Sequence, residues 1–188
     1  MTMIDAVGFC GGEPTLQEEP LVESCHRLVG IGLKTFVNTN GTHPEVIKRL
    51  VENGLISFVT IDVKAPLDAQ SYRKVTGREV DESLVDRVRE SLRICTEKHI
   101  ELEIRTTIVP TISDELDFTK SIAHDLPKNV RYVLQQFNPE GDIIDQRLRD
   151  MAAPSIKQMR SLGRVASEEG LLNVYIRTSE GGEERISN

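Results

Sequence analysis

The stretch VGFCGGEPTLQ at positions 7–17 joins a short apolar run to two glycines, an acid and a proline. Adjacent glycines let the backbone adopt positive φ angles and let another molecule approach the main chain closely, and the proline stiffens the chain that follows. A turn of this composition can hold a ligand through its backbone groups. It can also be an ordinary connection between a strand and a helix, and the motif alone does not decide between the two.

Polar residues follow the other apolar runs in the same way. The sequence Thr39-Asn40-Gly41 follows the second run, and Asp62 and Lys64 end the third. In an extended segment, residues two apart point to the same side, so Asp62 and Lys64 can serve one site while Val63 packs on the other side. Such a pair suits a zwitterion or an ion pair. Two further polar positions are Arg105 in the fourth run and the Gln135-to-Asn138 segment at the end of the fifth.

The surrounding sequence predicts the elements that hold these residues. Six runs rich in β-branched residues are typical of strands: 5–10, 34–39, 56–63, 102–109, 131–137 and 173–178. Amphipathic segments between them predict helices, with Pro20 and Pro44 suited to first helical positions. Alternating strands and helices predict an α/β fold with a parallel sheet, in which ligands bind beyond the carboxyl ends of the strands. We expect one domain over 1–188, with a frayed tail at 179–188.

Composition excludes some classes of protein. Lys and Arg total 23 against 30 for Asp and Glu, a net charge of −7 that gives no electrostatic footprint for nucleic acid. No apolar run approaches the roughly 20 residues that span a bilayer, and the first residues lack a signal-peptide pattern, so we expect no membrane partner and a cytoplasmic location. Three widely spaced cysteines predict reduced thiols that pack as small hydrophobic groups.

In this order and spacing, GGEP, TNG, DVK and IRTTIVP on four successive strands resemble the motifs of radical S-adenosylmethionine (SAM) enzymes. Within that superfamily the chain resembles the glycyl-radical-enzyme activases, such as the pyruvate formate-lyase and anaerobic ribonucleotide reductase activating enzymes. The resemblance covers residues 4–140. It implies a partial (βα)6 TIM-like barrel with mainly parallel strands.

The resemblance also implies roles for individual residues. The GGEP segment would hold the amino group of SAM through backbone carbonyls, and the residues that inherit this role are Gly11, Gly12 and Glu13, with Pro14 shaping the loop. The positions that would line the cofactor are Asn38, Thr39, Asp62 and Lys64. Lys64 would pair with the carboxylate of SAM. Some activases hold a monovalent cation here, which Thr39 and Asp62 would bind.

Further positions are implied beside the adenosine and the substrate. Gln136 and Phe137 fall near the adenosine, where many activases place a histidine. Phe137 would instead give stacking or apolar packing, which favours the ribonucleotide reductase activator branch or an archaeal-type relative. Arg105 matches an arginine near the glycine-containing segment of the partner, so a substrate-binding role is implied for it.

The chain departs from the family at its iron–sulfur cluster. The family holds a 4Fe–4S cluster with a CxxxCxxC loop after its first barrel strand, whereas this sequence opens on what would be the second strand. At their spacings Cys10, Cys25 and Cys95 cannot replace that loop. We therefore expect a barrel incomplete at its N-terminal βα unit, with no catalytic residue in this chain and no radical activity of the chain alone.

Three functions are open at this point. In the first, the complete protein is an oxidoreductase of the activase type. With an electron from flavodoxin or ferredoxin it would cleave SAM to a 5′-deoxyadenosyl radical, which takes hydrogen from a glycine of a glycyl radical enzyme. In the second, the chain is a naturally truncated SAM-binding or regulatory relative without radical chemistry. The third, an unrelated βα barrel acting on phosphorylated metabolites, lacks a recognisable phosphate loop.

Overall fold

The computed structural model describes residues 4–140, 143 and 145–186. It confirms the α/β class, with a mostly parallel seven-stranded sheet whose strands follow the order β1 to β7. The strands are β1 (Ala6–Phe9), β2 (Lys34–Thr39), β3 (Phe58–Asp62), β4 (Glu101–Ile108), β5 (Arg131–Gln136), β6 (Asn173–Thr178) and β7 (Gly182–Arg185). The helices are α1 (Glu18–Gly30), α2 (Pro44–Glu52), α3 (Ala69–Thr76), α4 (Glu82–Glu97), α5 (Leu116–Asp125), α6 (Gln146–Arg149) and α7 (Ile156–Glu168), and Pro14–Leu16 form one 3-10 turn.

The six predicted strands all form, two of them with the predicted bounds. Pro44 is the first residue of α2, as predicted. The prediction for Pro20 was wrong by two positions, because α1 already begins at Glu18 and Leu21 N–H donates to the Gln17 carbonyl. A proline tolerates this place, since the first turn of a helix has no intrahelical partners for its N–H groups.

The described residues form two compact units. The first comprises the described residues within Met1–Val63 and Asp81–Glu103. In it, β1, β2 and β3 pair in parallel, and α2 packs against α4. Side chains that alternate along β2 and β3 bury Val37, Val59 and Ile61 completely. Because parallel strands start and finish on the same sides, the carboxyl ends of these three strands lie together.

The second unit comprises the described residues within Lys64–Val80 and Ile104–Asn188. In it, β5 and β6 are parallel, β7 is antiparallel to β6, and α5 packs against α7. The frayed tail predicted for 179–188 was wrong for its middle, because residues 182–185 form β7 and Ile186 packs against Gly163. Gly182, with φ of +65°, lies at the chain reversal between β6 and β7, and a non-glycine residue would be strained at this φ. Residues 187 and 188 lie outside the described part, and a single domain over 1–188 stays a prediction.

The Glu183 carboxylate on β7 gives a pH-dependent contribution to stability. It pairs with Arg177 over 2.6 Å and also with Arg131, and the hydrogen bond from Arg177, with that from Arg131, holds the pKa of Glu183 below its usual value. A carboxyl group whose pKa is lowered by folding stabilises the protein at pH values above the pKa that the same group has in the unfolded chain. This contribution is lost as the pH falls through the pKa of the group in the folded state. Glu183→Gln should therefore lower the free energy of unfolding by less than about 1 kcal/mol at pH 7, since the side chain is partly exposed.

Chemical denaturation at pH 7 and at pH 3 measures this effect. The difference between wild type and Glu183→Gln should shrink at the lower pH. Glu180→Gln is the matched control, because Glu180 is exposed and makes no ion pair in the part of the chain that the structure describes. An equal loss at both pH values would contradict the ionic origin of the contribution.

Candidate functional site

The two glycines after β1 form an exposed turn with free backbone groups. Gly11 has φ of +89° and Gly12 has φ of +55°. A Cβ built on either would meet nothing within 4 Å, so the space beside both residues is open. Within the described residues, neither glycine donates or accepts a hydrogen bond. The turn therefore presents carbonyl and N–H groups that a ligand can reach.

The Glu13 side chain anchors this turn to the end of β2. Its Oε1 accepts hydrogen bonds from the Thr15 backbone over 3.1 Å, from the Thr15 hydroxyl over 2.5 Å and from the Thr39 hydroxyl over 2.7 Å. Its Oε2 accepts from the Asn40 backbone over 2.7 Å. Because the carboxylate has these four partners inside the protein, its geometry is that of an anchor for the loop.

A second layer of polar residues supports the anchor, and sequence reasoning did not find it. His43 Nδ1 lies 3.1 Å from the hydroxyls of both Thr15 and Thr42. The Thr42 hydroxyl and backbone in turn bond to Asn40 Oδ1. The Asn40-to-Thr42 spacing is a known turn pattern that the sequence could have signalled. The contact between Thr15 and His43, 28 residues apart, has no local signal.

Two buried oxygen atoms on β2 and β3 lack hydrogen-bond partners. Asn38 and Thr60 are register partners on these parallel strands, and neither Asn38 Oδ1 nor Thr60 Oγ1 has a partner among the described residues. Buried polar atoms are paired in most structures, by protein, water or ligand. An acceptor such as Asn38 Oδ1 fits a ligand that carries N–H or O–H groups, and SAM is one such ligand.

Strand alternation decides which predicted residues share a face. Thr60 and Asp62 lie on the face of Asn38, whereas Thr39, the partner of Ile61, lies on the opposite face and is buried. The Thr39 hydroxyl is engaged with Glu13 and with the Gly41 N–H. The monovalent-cation site predicted at Thr39 and Asp62 stays a prediction that this arrangement does not favour.

A cavity of about 200 Å³ lies beside the glycine turn. Its lining residues are Phe9, Cys10, Gly11, Pro14, Gln17, Pro20, Leu21 and Ser24. Pockets for drug-sized ligands usually measure about 300–1,000 Å³. The cavity is therefore too small for all of SAM, and it touches the turn on the side of α1.

The second unit contains the remaining predicted residues. Lys64 is exposed, directly after the buried Val63, as expected of an extended segment. Arg105 lies on β4 and is half-buried. The Gln136 side chain is engaged at both ends, because Nε2 donates to the Pro154 carbonyl over 2.8 Å and Oε1 accepts from the Ser179 backbone over 2.8 Å. The Gln136 side chain thus links the segments around Pro154 and Ser179 within the second unit.

Phe137 is buried with 8% of its surface exposed, and its N–H donates to the Ile108 carbonyl over 3.2 Å. This burial is that of a packed apolar side chain. The cofactor roles of Lys64, Gln136 and Phe137, and the substrate role of Arg105, stay predictions.

The cysteines do not fit a 4Fe–4S cluster. Cys10 is exposed after β1, Cys25 is buried in α1 and Cys95 is buried in α4. Burial raises the pKa of Cys95 to about 12 and also raises the pKa of Cys25, which disfavours the thiolate form that cluster ligands take. Within the described ranges, no group of three or more His, Cys, Asp or Glu side chains could hold a metal ion.

Comparison with known proteins decides the family. The profile of the Radical SAM superfamily matches residues 2–120. The chain belongs to the radical SAM superfamily. A Methanocaldococcus jannaschii protein provisionally named a glycyl-radical enzyme activating enzyme is 36% identical over 182 residues, which are 94% of this chain and 72% of that protein. A 7-carboxy-7-deazaguanine synthase of Thermococcus kodakarensis is 34% identical over 80 residues, which are 42% of this chain and 31% of the synthase.

Solved structures agree with this radical SAM fold. A domain of a pyruvate-formate lyase-activating enzyme from Bacteroides vulgatus superposes with a TM-score of 0.70 at 21% identity, covering 92% of this chain and 99% of that domain. A radical SAM methyltransferase from Sphaerobacter thermophilus also gives 0.70, at 17% identity, over 94% of this chain and 52% of the methyltransferase. These likenesses support the partial-barrel fold. In the described part of this radical SAM chain, every helix is too short or too polar to cross a bilayer.

The two glycines of the radical SAM turn should differ in tolerance to substitution. The φ of Gly12 lies in the left-handed region that other residues visit, whereas the φ of Gly11 lies beyond it. Both sites have space for a methyl group, so backbone strain decides the outcome. Gly11→Ala should lower the free energy of unfolding by about 1–3 kcal/mol and Gly12→Ala by about 1 kcal/mol. Thermal and urea unfolding of the pair measures the difference, and equal losses would contradict it.

Proposed function

We propose that this chain is the SAM-binding part of a glycyl-radical-enzyme activating enzyme. The observation that carries the proposal is the open Gly11-Gly12 turn, whose backbone groups are free while Glu13 fixes it to the end of β2. The 36% identity to the Methanocaldococcus jannaschii protein, provisionally named for this activity, supports the activase class.

The proposed roles are those that the family resemblance implies. The carbonyls of Gly11 and Gly12 bind the ammonium group of SAM, and Glu13 holds them in place through its four internal hydrogen bonds. Asn38 Oδ1 accepts a hydrogen bond from the ligand, which satisfies its buried oxygen. Lys64 pairs with the carboxylate of SAM, a charge-assisted contact.

The proposed overall reaction is reductive cleavage of SAM to a 5′-deoxyadenosyl radical, which takes a hydrogen atom from a glycine of a partner glycyl radical enzyme. A donor such as flavodoxin or ferredoxin would supply the electron. A 4Fe–4S cluster, whose ligands are not among the described residues, would supply the reducing chemistry when bound. The part of this chain is to bind and orient SAM. Arg105 on β4 is the proposed contact for the substrate segment, and the cytoplasmic location stays a prediction.

A SAM-binding or regulatory relative without radical chemistry is the second candidate. Detection of SAM binding would support both candidates equally. A glycyl radical signal in electron paramagnetic resonance, after co-expression with a glycyl radical enzyme of the same genome, would distinguish them.

SAM binding to the 188-residue chain tests the shared part of both candidates. Calorimetry, or saturation-transfer NMR for weak binding, should detect SAM on the wild type. Lys64→Ala should weaken it about tenfold or more, since a hydrogen bond to a charged group contributes about 1.5–3 kcal/mol. Lys74→Ala is the control, because Lys74 is also exposed and in the same unit. Unchanged affinity of Lys64→Ala would remove Lys64 from the site, and no binding by the wild type would overturn the proposal.

A further inference from the structure

We infer that His43 is a positioning residue for the glycine turn. Its Nδ1 carries a proton and shares it between the Thr15 and Thr42 hydroxyls, which orients the Thr15 hydroxyl toward Glu13. The protonation assignment stands on hydrogen-bond geometry alone. The consequence for the ligand rests on the proposed function, in which the turn binds SAM.

Asn40 fixes where the Thr42 proton points. The Thr42 backbone N–H lies 2.9 Å from the Asn40 side chain, and because an N–H can only donate, the atom facing it is the amide oxygen Oδ1. The Thr42 hydroxyl lies 2.7 Å from the same oxygen, so it donates as well. Thr42 Oγ1 then presents only lone pairs to His43 Nδ1, 3.1 Å away.

Glu13 fixes the Thr15 proton in the same way. A carboxylate oxygen only accepts, and Glu13 Oε1 lies 2.5 Å from the Thr15 hydroxyl, which therefore donates to it. The Thr39 hydroxyl donates to the same oxygen over 2.7 Å. Thr15 Oγ1, like Thr42 Oγ1, is left with lone pairs toward His43 Nδ1 at 3.1 Å.

Both neighbours of Nδ1 are acceptors, so Nδ1 must be the donor. Without a proton on Nδ1, the lone pair of Nδ1 would face the lone pairs of Thr15 Oγ1 and Thr42 Oγ1. To avoid this, the Thr15 hydroxyl would have to turn away from Glu13, or the Thr42 hydroxyl away from Asn40. In the neutral ring this assigns the Nδ1–H tautomer and leaves Nε2 as an acceptor. The result is a relay from His43 through Thr15 to Glu13 that links the start of α2 to the loop after β1.

The tautomer is directly measurable on the 188-residue chain. Long-range ¹H–¹⁵N NMR distinguishes protonated from unprotonated ring nitrogens, and His43→Asn identifies the His43 signals among the four histidines of the chain. In the neutral ring, Nδ1 should give the protonated type of signal and Nε2 the unprotonated type. The reverse assignment would overturn the inference.

Three substitutions test the positioning role. Asn places an N–H donor where Nδ1 lies, Asp places an acceptor there, and Leu places neither donor nor charge. Asn and Asp are both favourable N-caps, so both preserve the start of α2, where His43 is the N-cap. Hydrogen exchange of the Asn40 amide, which donates to Glu13, reports on the anchor without any ligand.

We expect exchange of the Asn40 amide to stay near wild type in His43→Asn and to accelerate about fivefold in His43→Asp and His43→Leu, the effect of one hydrogen bond of about 1 kcal/mol. SAM affinity should follow the same order. Equal behaviour of the Asn and Asp variants would overturn the role of the proton. If the exchange order holds while the wild type binds no SAM, the proposed function fails and the positioning of the turn by His43 stands.

Discussion

Glu13→Ala is expected to lower the free energy of unfolding by about 2–4 kcal/mol, the largest loss among the substitutions at the glycine turn. The change removes the carboxylate that accepts four hydrogen bonds. The donors that lose this acceptor belong to three residues, Thr15, Thr39 and Asn40. Thr15 and Thr39 are almost fully buried, with 2% and 4% of their surface exposed, so water replaces the lost partner poorly. A buried donor without a partner costs about 1–3 kcal/mol, and the losses in one network are not additive.

Glu13→Gln separates hydrogen bonding from charge. The amide oxygen of Gln can replace Oε1, but its amino group then faces the Asn40 N–H, which also donates. The Gln variant should therefore lose about half as much stability as the Ala variant. Glu23→Ala is the control, because Glu23 is an exposed acid on α1. Urea unfolding measures all three, and a Glu13→Ala variant as stable as wild type would contradict the anchoring role.

Anaerobic reconstitution of the 188-residue chain with iron and sulfide is expected to give no stoichiometric 4Fe–4S cluster and no 5′-deoxyadenosine from SAM. A cluster requires several thiolates close together. Here the three cysteines belong to separate places, after β1, in α1 and in α4, and two of them are buried. Burial raises the pKa of the Cys95 thiol to about 12, which disfavours the thiolate form that a cluster ligand takes.

An iron count, spectroscopy of the reduced state and an assay for 5′-deoxyadenosine measure this outcome. Cys10→Ser is the matched control, since Cys10 is the exposed cysteine and would account for loosely bound iron. Iron that disappears in this variant would be adventitious surface binding. A stoichiometric cluster that cleaves SAM reductively would show that the cysteines rearrange from the places described above.

Local sequence was sufficient for six of the seven strands that the structure describes. Strand bounds such as 34–39 and 173–178 were predicted to the residue, because β-branched runs flanked by glycine and polar residues have few other solutions. Strand β7 was missed because GEER has neither β-branched residues nor an apolar alternation; its pairing with β6 and the packing of Ile186 supply what its own sequence lacks.

Sequence alone determined the α/β class, the radical SAM motifs and the presence of a glycine turn after β1, because these depend on residue type and short-range order. Tertiary structure alone decided which contacts the side chains in and around this turn make. The Glu13 carboxylate lies against Thr39 and Asn40, 26 and 27 residues away, and His43 reaches Thr15 across 28 residues. Contacts at such separations form only when parallel strands bring their carboxyl ends together, and no local pattern records which side chains then meet.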